Sequence, residues 1–475
     1  SSRRTRQSWS RQAETNALRR ETKALRDDIE ALRSDKKALE WSLERLTSKV
    51  QEGWEYAVTI QPDEYWQSKG YDDEDIGNLR DAFLGELKGS VSSLEHGVCD
   101  SISVGLLGYV FHDEDLMPHW NALFRSFDYI NPYDEGVRLR LHSIELNEEI
   151  MRQVCNYVRH KNIGRVSFEY NQFTNMRGAI IELGEALRSP KLKSFTWCEN
   201  PIESIEDMNL FTRVLSQSSA LDELKFTENG NENAHALLSG VDFSTYKVLN
   251  FSDNSLRMNG RTDIPDLIAA NAPLEELDLS HNRLNDDDAV LIAQSLGGNT
   301  NLKQINVRRN NIQERGMRAL YEAVHDTSTL NALSDSNHSC HLVGLSEDFN
   351  IYPINEDRDY AISDDRDLNG LYTKGYTNRM LKLGLGLVFG SCTNRMLKIH
   401  RLMVERYRRG GGIVPHLNTE MGGGDSILLL PFLMESVVRR HDAFRMRYDE
   451  SSACSLGLLY ELVKDWKMAE LFSFR

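Results

Sequence analysis

Cysteine is scarce in this chain. Six residues (Cys99, Cys155, Cys198, Cys340, Cys392 and Cys454) are scattered over 475 positions with no Cys-x-x-Cys pair, which argues against a disulfide framework and suits free thiols in a reducing compartment. An intracellular, cytoplasmic location is the expectation. Long apolar runs are missing too. The best candidates, around Leu381 to Cys392 and Ile427 to Met434, are interrupted by Gly or Pro and fall short of the roughly 18 to 20 residues a membrane span needs. No initiator Met precedes Ser1, so a fragment is expected, and a targeting segment upstream would be invisible.

Catalytic signatures are equally thin. The chain has no Gly-x-Ser-x-Gly elbow and no His-Glu-x-x-His helix. Gly384, Gly386 and Gly390 do not make a Gly-x-Gly-x-x-Gly fingerprint, and no Gly-Lys-Ser/Thr follows a glycine-rich stretch. Asp365, Asp367, Asn369 and Gly370 match the first half of a calcium loop, but Tyr376 stands where the bidentate Glu belongs. His338, Cys340 and His341 are metal-competent, yet a structural zinc site needs four converging ligands and no matching pair lies nearby. The expectation is a non-enzymatic protein with no catalytic residue, metal or cofactor.

Charge is present in excess and unevenly spread. The formal net charge is -16; residues 1 to 50 hold 13 Lys+Arg against 8 Asp+Glu, leaving 43 against 64 for the rest. A basic arm precedes an acidic body, which repels nucleic-acid phosphates and favours basic partners. The arm carries leucine every seventh residue, at Leu18, Leu25, Leu32, Leu39 and Leu46, with Ile29, Leu43 and Val50 completing the seam and Thr15, Thr22 and Lys36 as its polar positions. That is a heptad repeat. In a parallel pair Glu21 would face Arg26 of the partner helix and Asp28 would face Arg33, so a parallel homodimer is expected, with a single amphipathic helix folded back on the body as the alternative. Arg3, Arg4, Arg6 and Arg11 suggest a DNA-binding basic region, but Ser8 to Leu18 lacks the required Asn and Arg spacing. No nucleic-acid partner is expected.

From Gly136 to about Leu345 apolar residues recur at positions one, four, six and eleven, with Asn often at nine. Units start at Ile163, Leu192, Leu221, Tyr246, Leu274 and Leu302, with degenerate ones at Gly136 and Leu330, at a spacing near 28 residues. Such periodicity predicts a leucine-rich repeat of the long, helix-bearing kind. Positions four and six should point inward from a short parallel strand. Stretches such as Met176 to Leu187 or Ala289 to Leu296 should return as amphipathic helices. Asn171, Asn200, Asn229, Asn254, Asn282 and Asn310 should form a ladder satisfying turn backbone groups. Asp286, Asp287 and Asp288 fall where a helix starts, so its dipole explains them better than a metal does.

With these residues the chain resembles the ribonuclease-inhibitor-like leucine-rich-repeat superfamily, which includes the activators of the Ran GTPase. Its tail, with HLNTEMGGGDSILLLPFLMESV and LLYELVKDWKMAELF, and the SDSNHSC of the last unit are similar to a large family of diatom-type leucine-rich-repeat proteins. The resemblance implies an α/β solenoid, a right-handed α/β horseshoe, and little about activity.

The expected organisation is a coiled coil over 1-52, an acidic N-terminal cap over 53-135, the repeat array over 136-345, and a loop and helical tail over 346-475. Helices are expected near Asp75 to Leu94 and Leu116 to Phe127 in the cap, and near Asn394 to Arg409, Ser426 to Arg440 and Leu456 to Leu471 in the tail. TNRMLK occurs at both Thr377 to Lys382 and Thr393 to Lys398, which resembles retained intron sequence or a duplicated gene segment. Positions three, five, seven and eight should face the concave surface or its rim. They put an acidic patch at Glu199, Glu223, Glu228, Asp253, Glu276 and Asp278, relieved by Lys225, and a basic step at Arg308 and Arg309. The expected function is a protein-binding scaffold whose partner has a basic surface. The alternative is a small-GTPase regulator resembling the Ran GTPase activators, with Arg308 and Arg309 as its charged candidates.

Overall fold

The computed structural model describes residues 2–105, 108–328 and 330–346, with side chains from Thr22 onward except at Leu330, Asn331 and Ser334. The tail helices, the TNRMLK duplication and the half-matched calcium loop lie outside the described residues. The chain divides into two compact units, Ser1–Tyr246 and Lys247–Arg475. That division falls inside the stretch expected to be the repeat array.

The first unit begins with one long helix, α1 (Ser2–Glu52), followed by α2 (Asp63–Ser68), α3 (Asp73–Gly77), a π-helical stretch (Asn78–Gly85), α4 (Glu86–Glu95), strand β1 (Ser101–Val104) and α5 (Met117–Ser126). Then come β2 (Val137–His142), β3 (Glu145–Leu146), α6 (Glu148–His160), β4 (Ile163–Glu169), β5 (Gln172–Phe173), α7 (Met176–Ala186), β6 (Ser194–Cys198), α8 (Ile205–Ser216), β7 (Glu223–Thr227) and α9 (Asn231–Gly240). Within this unit β1, β2, β4, β6 and β7 lie side by side in that order, all parallel, while β3 pairs with β5. Parallel neighbours need a crossover, and the helices supply it.

The second unit alternates β8 (Val248–Asn250), α10 (Asp263–Ala269), β9 (Glu276–Asp278), α11 (Asp286–Leu296), β10 (Gln304–Asn306), α12 (Glu314–His325), α13 (Leu330–Asp335) and β11 (His341–Val343). Among its described residues the four strands are parallel and in sequence order.

Register follows the repeat. Val166 pairs with Phe195 and Phe195 with Leu224, while Phe168 pairs with Trp197 and Trp197 with Phe226. In the second unit Leu249, Leu277, Ile305 and Leu342 form one row. Every position-four and position-six residue from Val166 to Val307 is buried. The two cores differ in kind. The first is aromatic, with Phe173 stacked on Trp197 at 5.2 Å and Phe211 at 5.0 Å from Trp197. The second is mainly aliphatic, built on Leu249, Leu256, Leu277, Leu279, Leu284 and Ile292.

The asparagine ladder forms. Asn200 Oδ1 accepts from the Asn171 N–H at 2.7 Å while its Nδ2 donates to the Phe168 carbonyl at 2.7 Å. Asn282 repeats this, accepting from the Asn254 and Leu256 N–H groups, each at 3.0 Å, and donating to the Phe251 carbonyl at 2.9 Å. The amides thus tie one repeat to the previous one.

One expectation needs correction and two are extended. The cap holds the expected helices near Asp75 to Leu94 and Leu116 to Phe127, and a strand besides. β1 puts Ile102 and Val104 opposite Leu139 and Leu141, fully buried, and the periodicity misses it because Cys99 and Leu107 occupy positions one and nine. The last unit does not start its strand pattern at Leu330. That segment is α13, and the strand is His341–Val343, after a turn in which Asn337 Oδ1 accepts from the Ser339 and Cys340 N–H groups at 2.9 and 2.7 Å. Asp286 to Asp288 are more than dipole partners. Asn285 caps α11 in a capping box with the buried Asp288, Asp286 Oδ1 accepts from the Gln313 N–H at 2.6 Å, and Asp287 pairs with Arg315.

Candidate functional site

Positions three, five and seven of each strand alternate with the buried four and six, so they lie on the opposite sheet face. Position eight follows the strand in the left-handed region. In the first unit it is Ser143, Tyr170, Glu199 and Glu228, at φ 54°, 57°, 47° and 59°; in the second it is Asp253, His281 and Arg309, at 59°, 55° and 55°. Such backbone costs a non-glycine residue about 1–2 kcal/mol. Hydrogen bonds between repeats offset that cost. The Tyr170 N–H donates to the Cys198 carbonyl at 2.9 Å and the Glu199 N–H to the Thr227 carbonyl at 3.0 Å; in the second unit His281 N–H reaches the Arg308 carbonyl at 2.8 Å. The ladder asparagine, at position nine, holds the next backbone group. Tyr170, Glu199, Glu228, Asp253, His281 and Arg309 are all exposed.

On the first unit this row gathers a polar cluster. Tyr170 Oη donates to Glu228 Oε1 at 2.9 Å, and the Cys198 thiol lies 3.7 Å from the same oxygen. Burial and then the neighbouring Glu228 raise the Glu199 carboxyl above the usual carboxylate range, and the hydrogen bond to Glu228 raises the Tyr170 phenol well above its own. The His142 ring sits 5.1 Å from that of Tyr170. Glu223 is half-buried and paired with Lys225 at 3.2 Å. Toward β2 the sign changes. Arg138 and Arg165 are exposed at position three, and Arg140 at position five pairs with Glu169. Burial pushes the Glu169 carboxyl up, but hydrogen bonds from Arg140 and Ser167 outweigh it and hold the pKa low.

On the second unit Asp253 Oδ1 lies 3.3 Å from His281 Nδ1, and Arg309 Nη1 lies 3.5 Å from His281 Nε2. Glu276 and Arg308 are exposed. Asp278 is not a free surface charge. Its Oδ1 accepts from the Ser280 N–H at 2.9 Å and its Oδ2 from Asn306 Nδ2 at 3.2 Å. Asn250 and Asn306 make the same N–H contact at position five, to Ser252 and Arg308, so Asp278 serves the turn.

The structure therefore brings Glu199 and Glu228 together, leaves Glu223 in an ion pair, and on the second unit sets Asp253 and Arg309 on either side of His281. Sequence reasoning missed Tyr170, Arg138, Arg140, Arg165 and His281. The signal was present. Each occupies position three, five or eight, and the residue before a ladder asparagine is the one the turn exposes.

A model described as "Leucine Rich repeat" matches residues 270–293 and 298–320. No curated protein matches the chain. Among solved structures it is similar to an internalin (inlF) from Listeria monocytogenes, at 19% identity and a TM-score of 0.29, covering 47% of this chain and 59% of that one. It is also similar to the Rad7 and Elc1 complex of yeast, at 12% identity and a TM-score of 0.32, covering 69% of this chain and 93% of that one. The chain thus spans under two thirds of the internalin's length. Among the described residues no helix is long and apolar enough to cross a membrane.

Proposed function

We propose that this chain, built on leucine-rich repeats, is a non-enzymatic scaffold that binds a protein partner through the exposed strand faces and the left-handed row beside them. We further propose that it works as a homodimer through the seam of Leu18, Leu25, Leu32, Leu39 and Leu46. The observation that carries the binding reading is the pair Glu199 and Glu228. Two carboxylates of consecutive repeats are held side by side at an exposed edge by costly backbone, and Glu199 retains its proton more strongly than a lone glutamate. An arginine or lysine from a partner would relieve that repulsion, so the partner surface has a basic patch. Arg138 and Arg165 would meet acidic groups at its edge.

Affinity capture with the wild-type chain and with a Glu199→Lys, Glu228→Lys variant tests this. Partners retained by the first and lost by the second support the scaffold reading; an identical set from both overturns it. Arg308 and Arg309 carry the alternative of a small-GTPase regulator. Stimulated GTP hydrolysis in a panel of small GTPases, abolished by Arg308→Ala with Arg309→Ala, would replace passive binding by that activity.

A further inference from the structure

Helix α1 meets the body of its own unit along one side. Among its described residues the half-buried ones are Ala38, Trp41, Ser42, Arg45, Ser48 and Lys49, at the three- and four-residue spacing of one helical face. The body grips that face with polar contacts. Asn131 Nδ2 donates to the Ala38 carbonyl at 3.1 Å and to Ser42 Oγ at 3.4 Å, and Ser34 Oγ donates to the Tyr133 carbonyl at 2.8 Å. The Arg45 guanidinium lies 4.1 Å from the centre of the Tyr129 ring, and Lys49 Nζ 3.9 Å from Glu95 Oε2. At about 100° per residue, the leucine seam lies roughly 160° around the helix from this face. It is open to water, with Leu25 56%, Leu32 67%, Leu39 71% and Leu43 64% exposed. The helix does fold against the body, but with the wrong side to cover its leucines.

The charges beside the seam select what covers it. With the five leucines at heptad position d, Glu14, Glu21 and Asp28 fall at g, and Arg19, Arg26 and Arg33 fall at e. In a parallel, in-register pair each g faces the e of the following heptad on the other helix, so all of these meet opposite charge; an antiparallel pair sets acid against acid and base against base. The pattern stops where docking begins. The next g position, Asp35, meets Glu40 of the other helix, a like-charge pair, and the last two, Ser42 and Lys49, are engaged by the body. Lys36, the one charged residue at an inner seam position, penalises a shifted register.

We propose that α1 is a two-sided strut, docked by its polar face onto its own body and zipped by its leucine seam, parallel and in register, to α1 of a second copy. The inference rests on the parallel-dimer reading and adds register and the separate work of the two faces. The full chain tests it. Leu25→Cys should give an interchain disulfide under mild oxidation, above the level of the parent chain, because d faces d in a parallel pair. Arg26→Glu with Arg33→Glu, and separately Glu21→Lys with Asp28→Lys, should each weaken self-association roughly tenfold or more, and mixing the two variants should restore a heterodimer. Circular dichroism of each variant checks that the fold is kept. A dimer by sedimentation that ignores both reversals and yields no Leu25→Cys cross-link overturns the parallel zipper while leaving the dimer standing. A chain that stays monomeric on the order of tens of micromolar overturns the dimer reading itself.

Discussion

Tyr170 and Glu228 are 58 positions apart, and the phenol of one donates to the carboxylate of the other at 2.9 Å. Each precedes a ladder asparagine in left-handed backbone, and Glu199 occupies the equivalent place in the repeat between them. The tyrosine spans that intervening repeat, so three turns share one electrostatic setting.

Reversal of exposed carboxylates should act on binding rather than folding. Glu228→Lys, Asp253→Lys and Glu276→Lys together should slow association with a captured partner, and added salt should weaken the wild-type complex. The same change at Glu182 and Glu185 on α7 should matter little. Asp278 is excluded from the set because it accepts two hydrogen bonds within the fold. Stopped-flow association rates check the comparison, and equal slowing by both sets would place the binding surface elsewhere.

Truncation of the core should be costly. Leu277 and Leu279 are 1% and 0% exposed, and Leu277→Ala or Leu279→Ala should destabilise by about 2–5 kcal/mol. Asn282→Ala removes the side-chain acceptor of the Asn254 and Leu256 N–H groups, at about 1–3 kcal/mol for each group left unsatisfied. Urea denaturation measures both. A cost near zero at Asn282 would mean that the ladder is incidental.

Docking of α1 depends on a glycine. Gly97 has φ +70°, and a Cβ there would sit 2.8 Å from Arg45 Cβ and 3.0 Å from the Trp41 ring. Gly97→Ala is therefore expected to lift α1 from the body, which limited proteolysis would detect as faster cleavage between Lys36 and Glu52. Self-association should survive, since the seam lies on the other side.

Acid should loosen the cap before it reaches the carboxylates. His119 is 2% exposed, its Nδ1 lies 2.9 Å from Tyr56 Oη, and burial lowers its pKa below 6.5. The unfolded chain binds that proton first, so the stability from a neutral His119 is complete above pH 6.5 and is lost as pH falls from there through the depressed folded value. Thermal melts between about pH 8 and 5 should fall less steeply for His119→Gln than for the wild type. Parallel curves would show that this histidine is not the sensor.

Much of the architecture was legible in the sequence because its signals are local and periodic. Position four and six residues alternate within a strand, and a unit near 28 residues long must return a helix, so Leu277 and Phe195 could be placed inside from spacing alone. The ladder was readable for a related reason, since an asparagine at a fixed turn can meet only backbone groups nearby. β1 and β11 were missed or misplaced because neither carries the full pattern, β1 having Cys99 at position one and β11 having Gly344 at six, with no asparagine at nine in either, and pairing with β2 and β10 decided them.

The charged surface depended on information the chain does not hold locally. Whether Asp278 is free, whether Glu199 stands beside Glu228, and which side of α1 meets Asn131 are set by residues that are 28 to 93 positions away. Heptad spacing alone determined that α1 has an apolar seam. Only the tertiary structure decided that the body takes the opposite face, because Gly97, Tyr129 and Asn131 converge on Trp41, Ser42 and Arg45 and leave the leucines to water.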